Sequence, residues 1–135
     1  MIPCVRLWTS SEGKSKFEEG WVVLGPTSKG DGKSEKVKVG ESFFEETPPG
    51  GKLLWHTAPT RQMVVTLSGI LQFETRDGGR FVLRPGDILL AEDTTGSGHS
   101  WWLLDADPWR RMYVTLDASA VLAFESRDKN VDQKK

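Results

Sequence analysis

The sequence predicts an all-β fold, a jelly-roll type of β-barrel or sandwich built from short strands. From Trp21 onward, short apolar runs alternate with clusters of Gly, Pro, Asp and Ser, as in antiparallel β proteins. The 135 residues include 14 glycines and 7 prolines, which favour many turns and few helices. A chain of this length forms one core, so we predict a single domain over residues 1–135.

Ten short segments have the strand pattern, bounded by turn residues. They are residues 20–24, 35–39, 41–47, 52–56, 62–67, 69–75, 80–83, 87–91, 99–104 and 111–116. The sharpest local signal is LQFETRDGGRFVL, because its Asp77, Gly78 and Gly79 accept the positive φ angles of a tight hairpin turn. Pro85 and Gly86 predict the next turn, and the loop TTGSGHS then leads into the segment at 99–104.

The two ends of the chain differ in composition from the middle. Residues 1–39 are predicted to form an N-terminal arm, since the stretches 9–19 and 27–36 are polar, contain glycine and resemble loops. Residues 117–135 begin with DASAVLAFESRDK, which predicts a short C-terminal helix capped by Asp117 or Ser119. The final KNVDQKK predicts a disordered polar tail.

Charge and composition argue against several classes of partner. The chain has 18 Lys plus Arg against 19 Asp plus Glu, so it lacks the basic surface that nucleic-acid binding requires. No stretch approaches the ~18 apolar residues of a membrane-spanning helix. The single cysteine, Cys4, can form no internal disulfide, and the first residues lack the apolar run of a secretory signal. We therefore expect a soluble cytoplasmic protein with no nucleic-acid or membrane partner.

The motifs around the two histidines resemble those of the small single-domain cupins, a superfamily of β-barrel proteins. The first cupin motif reads Gly, five residues, His, one residue, His, three or four residues, Glu, six residues, Gly. This chain keeps the spacing at Gly50, His56, Ala58, Gln62 and Gly69. Ala58 and Gln62 replace the second His and the Glu of the motif. The second motif is matched by PGDILLAEDTTGSGH, which ends at His99.

The resemblance covers roughly residues 40–116 and implies that they form the cupin barrel core. In a cupin with its full ligand set, three His and one Glu hold a divalent Fe, Mn, Ni, Cu or Zn ion. The matching positions here are His56, Gln62 and His99, which supply no negative charge. A carboxylate such as Glu46 or Glu92 would have to join them for tight binding. The expected cofactor is therefore none, or a weakly held divalent metal at these three positions.

His56 precedes the predicted strand at 62–67 and His99 begins the one at 99–104, so both are expected at strand ends, at the mouth of the barrel. An imidazole titrates near neutral pH, so it can remove a proton from an activated carbon and return it. Gln62 and Arg61 could then stabilise the resulting enolate through hydrogen bonds or charge. An outward salt bridge is the alternative for Arg61, because an inward Gln62 turns its neighbour outward. The predicted catalytic residues are His56, His99 and Gln62.

Strand alternation predicts the pocket wall and the outer surface. With Gln62 inward, the next inward positions are Val64 and Thr66, and an inward His99 places Trp101 in the pocket. The predicted substrate-binding residues are Val64, Thr66, Trp101, Glu92 and Arg61. The outward set is too apolar for solvent and predicts a second layer or a homodimer interface; it consists of Met63, Val65 and Leu67.

Three functions remain open on the sequence. The first is an enzyme that uses His-mediated acid–base chemistry on a small carbonyl-bearing metabolite, as a lyase, dehydratase or isomerase, with specialised metabolism as its setting. The second is a metal-dependent cupin, a dioxygenase or isomerase, with His56, Gln62 and His99 as ligands. The third is a non-catalytic module that binds a small ligand, a role that other cupin barrels fill. A small molecule is the expected partner in all three.

Overall fold

The computed structural model describes residues 1–128, which form thirteen strands and no helix, so the all-β prediction is confirmed. This part of the chain contains no helix long and apolar enough to cross a membrane. In chain order the strands are β1 (Ile2–Thr9), β2 (Ser15–Val22), β3 (Gly25–Pro26), β4 (Gly32–Lys33), β5 (Val39–Thr47), β6 (Lys52–His56), β7 (Gln62–Ser68), β8 (Leu71–Thr75), β9 (Arg80–Leu83), β10 (Ile88–Glu92), β11 (His99–Leu103), β12 (Trp109–Leu116) and β13 (Phe124–Ser126).

The strands form two main sheets that pack against each other. The larger sheet has seven strands in the order β13-β2-β1-β10-β7-β12-β5, and the smaller has four in the order β6-β11-β8-β9. The β1–β10 pair is parallel, and the other pairs within these two sheets are antiparallel. Within residues 1–128 no strand pair joins the two sheets, so this jelly-roll-like sandwich is not closed into a barrel.

The core between the sheets is apolar and aromatic because alternate side chains of both sheets point into it. Leu7 of the large sheet and Leu71 and Leu83 of the small sheet are fully buried. Phe73 stacks on Phe81 with ring centroids 4.9 Å apart. Each fully buried apolar side chain of this kind stabilises the fold by roughly 1.5–3 kcal/mol. This core fixes the separation of the sheets between which the histidines lie.

The hairpin predicted in LQFETRDGGRFVL is present. Strands β8 and β9 pair antiparallel, and Gly78 has a φ of 89° in the turn between them. Asp77 accepts hydrogen bonds from Lys16 Nζ at 2.6 Å and from Thr75 Oγ1 at 2.5 Å. These bonds, with that from Lys16 the largest effect, hold the pKa of Asp77 well below its usual range. The turn is thereby fixed, and with it the register of the small sheet.

The prediction that residues 1–39 form an arm over the barrel is wrong for the first two strands. Strand β1 lies inside the large sheet, between β2 and β10, and buries Cys4, Val5 and Leu7. Residues 15–19 have a loop-like composition although they belong to β2, because β2 is mostly half-buried and therefore carries many polar side chains. The stretch 27–36 is mostly turn and loop, as predicted, but the predicted strand at 35–39 is loop up to residue 38.

The predicted C-terminal helix is also wrong. Asp117 begins a turn, in which its carbonyl accepts a hydrogen bond from Ala120 N at 2.9 Å, and residues 124–126 form β13 on the edge of the large sheet. Ala120 and Leu122 are buried in a second apolar cluster with Leu90. A helix this short is unstable alone, whereas the sheet edge supplies backbone partners. The predicted tail, residues 129–135, lies outside the described residues.

Candidate functional site

A cavity of about 410 Å³ opens between the two sheets. Its size falls within the range of roughly 300–1,000 Å³ that is typical of small-molecule sites. Most of the residues that the sequence predicted for the site line it, on both sheets. They are His56, Gln62, Val64, His99 and Trp101.

The two histidines are neighbours in this cavity. Strands β6 and β11 pair so that His56 and His99 stand opposite each other, with ring centroids 4.4 Å apart. Gly98 allows this close approach, since it has a φ of 76° and a Cβ at this position would lie 2.4 Å from the carbonyl oxygen of His56. A glycine before His99 is therefore required to bring the two imidazoles together.

A buried carboxylate holds His99 in place. Asp93 Oδ2 accepts a hydrogen bond from His99 Nδ1 at 2.6 Å and another from Ser15 Oγ at 2.6 Å. All three side chains are buried, and Asp93 is 0 % exposed. Because Nδ1 donates to the carboxylate, Nε2 is left as a hydrogen-bond acceptor and as a site for a proton.

A backbone hydrogen bond of Asp93 connects the first cupin-like motif to the second. Its carbonyl oxygen accepts a hydrogen bond from Ala58 N at 3.0 Å, which links the end of β10 to the loop after His56. Its second carboxylate oxygen, Oδ1, has no hydrogen-bond partner within residues 1–128 and is buried. A buried carboxylate in this state is stabilised by a positive charge beside it. Asp93 is thus placed to balance the charge that His99 acquires with a second proton.

His56 is held by the backbone rather than by a carboxylate. Its Nδ1 donates a hydrogen bond to the carbonyl oxygen of Leu54 at 2.7 Å. Burial lowers the pKa of His56, and the nearby His99 lowers it further, against the opposing effects of Leu54 and Asp93. The neutral ring with its proton on Nδ1 presents Nε2 as an acceptor.

Gln62 and Ala58 occupy the positions where the cupin motif has a carboxylate and an imidazole. Both are buried and line the cavity, Gln62 from the first position of β7. The amide of Gln62 can donate a hydrogen bond to a carbonyl oxygen, whereas Ala58 offers no side-chain donor or acceptor.

The side chains present fit a tightly held metal ion poorly. His56, His99 and Gln62 provide two imidazoles and an amide oxygen, all neutral donors. Asp93 is already engaged by His99 and Ser15. In the described part of the chain no group of three or more His, Cys, Asp and Glu side chains is arranged to hold a metal. Two imidazoles and an amide oxygen fall short of the three strong protein ligands, such as three His or two His and a Glu, that hold zinc in catalytic sites.

Arg61 and Glu92 do not contribute to this cavity, contrary to the sequence-based prediction. Arg61 Nη2 lies 2.8 Å from Glu92 Oε2, and Glu92 Oε1 lies 2.9 Å from Arg6 Nε. The three side chains line a separate depression together with residues 121–124. The outward salt bridge, which alternation allowed for Arg61, is therefore the arrangement observed.

Thr66 and Glu46 also lie outside the cavity lining. Thr66 is buried on β7, and its Oγ1 has no hydrogen-bond partner within the described range. Glu46 forms an exposed ion pair with Arg110, with 2.6 Å between Oε2 and Nε. Neither Glu46 nor Glu92 can therefore supply the missing carboxylate to the histidines in this arrangement.

Sequence reasoning missed Asp93 and Arg111. Asp93 stands in AEDTTGSG, where a carboxylate is usually interpreted as a turn cap. Arg111 lines the cavity from β12 and is 2 % exposed. A signal for Arg111 was present, because two adjacent arginines in a strand point to opposite faces and one of them must face inward.

Comparison with known proteins supplies no functional assignment. No family model matches the sequence, and no curated protein matches it. The function must therefore be argued from the site.

Proposed function

We propose that the protein is a cupin-type enzyme that moves a proton on a small carbonyl-bearing molecule, with a lyase, dehydratase or isomerase outcome. The observation that carries this proposal is the buried hydrogen bond between Asp93 and His99 in the wall of the cavity. An imidazole whose Nδ1 is tied to a carboxylate presents Nε2 as a general base. The spacing of Gly50, His56 and Gly69 supports the cupin assignment.

The first step forms an enolate. His99 Nε2 takes a proton from the carbon next to the substrate carbonyl, and the electron pair of that C–H bond moves toward the carbonyl oxygen. Asp93 balances the positive charge on the imidazole. The Gln62 amide donates a hydrogen bond to the developing oxyanion, which is most effective in a site that excludes water. His56 Nε2 accepts a hydrogen bond from a substrate hydroxyl and so orients the molecule.

The second step returns the proton from His99. In a substrate with a β,γ double bond the enolate is conjugated with that bond, so delivery of the proton to the γ-carbon leaves an α,β double bond and gives an isomer of the substrate. Delivery to a hydroxyl on the neighbouring carbon releases water, while the enolate electrons form a carbon–carbon double bond. Both outcomes balance without an oxidant, a reductant or a co-reactant, so one site can support either reaction.

A metal-dependent reaction, as a dioxygenase or isomerase, is the second candidate. Both histidines use Nδ1 to donate to an oxygen and leave Nε2 facing other groups, as metal-ligating histidines do. The neutral donor set of His56, His99 and Gln62 counts against it. Elemental analysis of untagged protein separates the two candidates, since only the second requires stoichiometric metal that His99→Ala would lose.

Deuterium exchange tests the proposed proton transfer. The wild-type protein is incubated in D₂O with a panel of ketones and hydroxyketones, and mass spectrometry follows deuterium gain or loss of water. We expect turnover by the wild type and a loss of roughly 10²–10⁴-fold in His99→Gln, because general-base catalysis contributes that much. Asp93→Asn should show a loss in the same direction.

Glu92→Gln is the matched control, since it neutralises the carboxylate next to Asp93 but faces away from the cavity. It should retain wild-type exchange. Equal exchange in wild type and His99→Gln would overturn the proposed role of His99. Compounds that bind in the cavity but never exchange or eliminate would make the protein a small-ligand-binding module.

Two features of the sequence support a proposal for the cellular setting. A cytoplasmic location is supported by the single cysteine, Cys4, which is buried and unpaired. The altered ligand set of the cupin-like motif supports a role in specialised metabolism.

A further inference from the structure

We infer that the cavity takes an aromatic carboxylate, whose anionic group binds Arg111 while its carbonyl end reaches the histidines. This inference rests on the proposed function, because it names the substrate class of the same cavity. It is carried by the burial of Arg111, its hydrogen bonds and the aromatic side chains between the two polar regions.

Arg111 is a buried cation with donor capacity to spare. Its side chain is 2 % exposed. Nε donates to Tyr113 Oη at 3.2 Å, Nη1 donates to Thr47 Oγ1 at 2.7 Å and to the Trp109 carbonyl at 3.1 Å, and Nη2 donates to Glu45 at 2.8 Å. A guanidinium has five N–H groups, so one N–H on Nη2 is unused by residues 1–128.

The counter-charge of Arg111 is a half-exposed carboxylate that itself lines the cavity. Glu45 is its ion-pair partner, and the Glu45 side chain is 54 % exposed. An ion pair with one partner in solvent is weakened by water and salt. A ligand carboxylate in the cavity can accept a hydrogen bond from the unused N–H of Nη2, and a charge-assisted hydrogen bond is stronger than one between neutral groups. Arg111 can therefore bind a substrate anion in addition to Glu45 or in its place.

Tyr113 adds a second donor at this position. It follows Arg111 by two residues on β12 and also lines the cavity. Burial raises the pKa of Tyr113, against the opposing effect of Arg111. The phenol is therefore protonated at neutral pH, and its O–H can donate to a bound carboxylate while its oxygen accepts from Arg111 Nε.

The register of the large sheet separates Arg111 from the histidine end. Arg111 pairs with Thr66 and Thr115 pairs with Gln62 across β7 and β12. Thr66 is four residues beyond Gln62, which corresponds to roughly 13 Å of strand. A ligand that contacts both Gln62 and Arg111 must therefore be elongated, with its two polar ends apart.

Aromatic side chains line the cavity between the histidine end and Arg111. Trp101 and Trp109 meet edge to face with ring centroids 4.7 Å apart, and Phe73 lies 6.2 Å from Trp109 and 5.8 Å from His99. Arg111 Cζ lies 3.8 Å from the ring centroid of Trp109. Walls of this kind favour flat aromatic ligands over flexible aliphatic ones. The site therefore suits a planar ring that carries a carboxylate at one end.

Tryptophan fluorescence provides a binding test that does not depend on turnover. Quenching is titrated with 2-naphthoate and with 2-naphthylmethanol, which has a similar ring system but no charge. We expect the wild type to bind the carboxylate at least about tenfold more tightly, since a hydrogen bond to a charged group contributes that much. Arg111→Gln should remove this preference, and Arg111→Lys should keep part of it.

Arg110→Gln is the matched control. Arg110 is the preceding residue on the same strand, is exposed and pairs with Glu46 outside the cavity, so its loss should leave the preference unchanged. If Arg111→Gln does not fold, the wild type alone decides the question. Equal affinity for the two probes, or a carboxylate preference that Arg110→Gln abolishes, would overturn the inference.

His99→Gln separates this inference from the proposed function. It should still prefer 2-naphthoate, because His99 is not part of the anion contact, while its proton-transfer activity is lost. A carboxylate preference in a protein without any exchange activity would support the anion site and contradict the enzyme. Exchange activity without a carboxylate preference would support the enzyme and contradict the anion site.

Discussion

At the scale of single residues, the use of each histidine is decided by the atom that its Nδ1 contacts. His99 donates to a buried carboxylate and His56 to a backbone carbonyl. Motif spacing predicted both histidines and Gln62, but it could not predict Asp93. His99 lies six residues from Asp93 across a loop, but Ser15 is 78 residues away, so only the folded structure brings the three side chains together.

The lowered pKa of His56 predicts how stability depends on pH. Its pKa is lower in the folded state than in the unfolded state, where it is roughly 6.5. The unfolded chain therefore binds more protons below that pH, and this contribution to stability is lost as the pH falls through the window between the two values. Urea unfolding at several pH values should show a smaller acid loss in His56→Gln than in the wild type. Identical pH dependence in both proteins would contradict this prediction.

At the scale of elements, the sequence predicted most strands from β6 to β12 but misjudged both ends of the chain. The hairpin of β8 and β9 was predictable because its turn residues determine its shape locally. Strand β2 was not, since its place depends on pairing with β1 and β13 at long sequence separation. The same holds for β13, whose residues were assigned to a helix. The local sequence pattern predicts secondary structure least well where pairing with a distant strand determines the conformation.

Strand β1 should therefore be essential to the fold rather than an appendage. Leu7 is 0 % exposed in the main core, whereas Ile2 on the same strand is 39 % exposed. Leu7→Ala should lower the free energy of unfolding by roughly 2–5 kcal/mol, because it leaves a cavity in the core. Ile2→Ala is the matched control and should cost much less. Chemical denaturation monitored by circular dichroism measures both, and equal small losses would mean that β1 is a peripheral arm.

At the scale of the whole molecule, one outer face is more apolar than solvent contact favours. On the seven-stranded sheet, Phe44 of edge strand β5 is 73 % exposed and Leu67 of β7 is 51 % exposed. Both line a shallow depression beside Arg110. The sequence predicted an apolar outer surface from Met63, Val65 and Leu67, but the structure leaves Met63 and Val65 only partly exposed. The homodimer that this surface suggested stays a prediction.

Light scattering coupled to size exclusion tests that dimer. We expect the wild type to have twice the chain mass of 15.1 kDa, and Leu67→Asp to shift toward the monomer, because a charge buried in an apolar interface is costly. Lys29→Asp, in an exposed loop turn, serves as a control for the added charge. A monomeric wild type at the highest concentration measured would contradict the prediction.

In the proposed reaction the side chains of this protein, with His99 as the base, perform the proton transfer. The most direct test measures deuterium exchange and metal content in the same chelator-treated sample. We expect exchange to persist at the untreated rate when the metal content is far below stoichiometric. Exchange that disappears on chelation and returns with Fe, Mn, Ni, Cu or Zn would contradict it and establish the metal-dependent reaction.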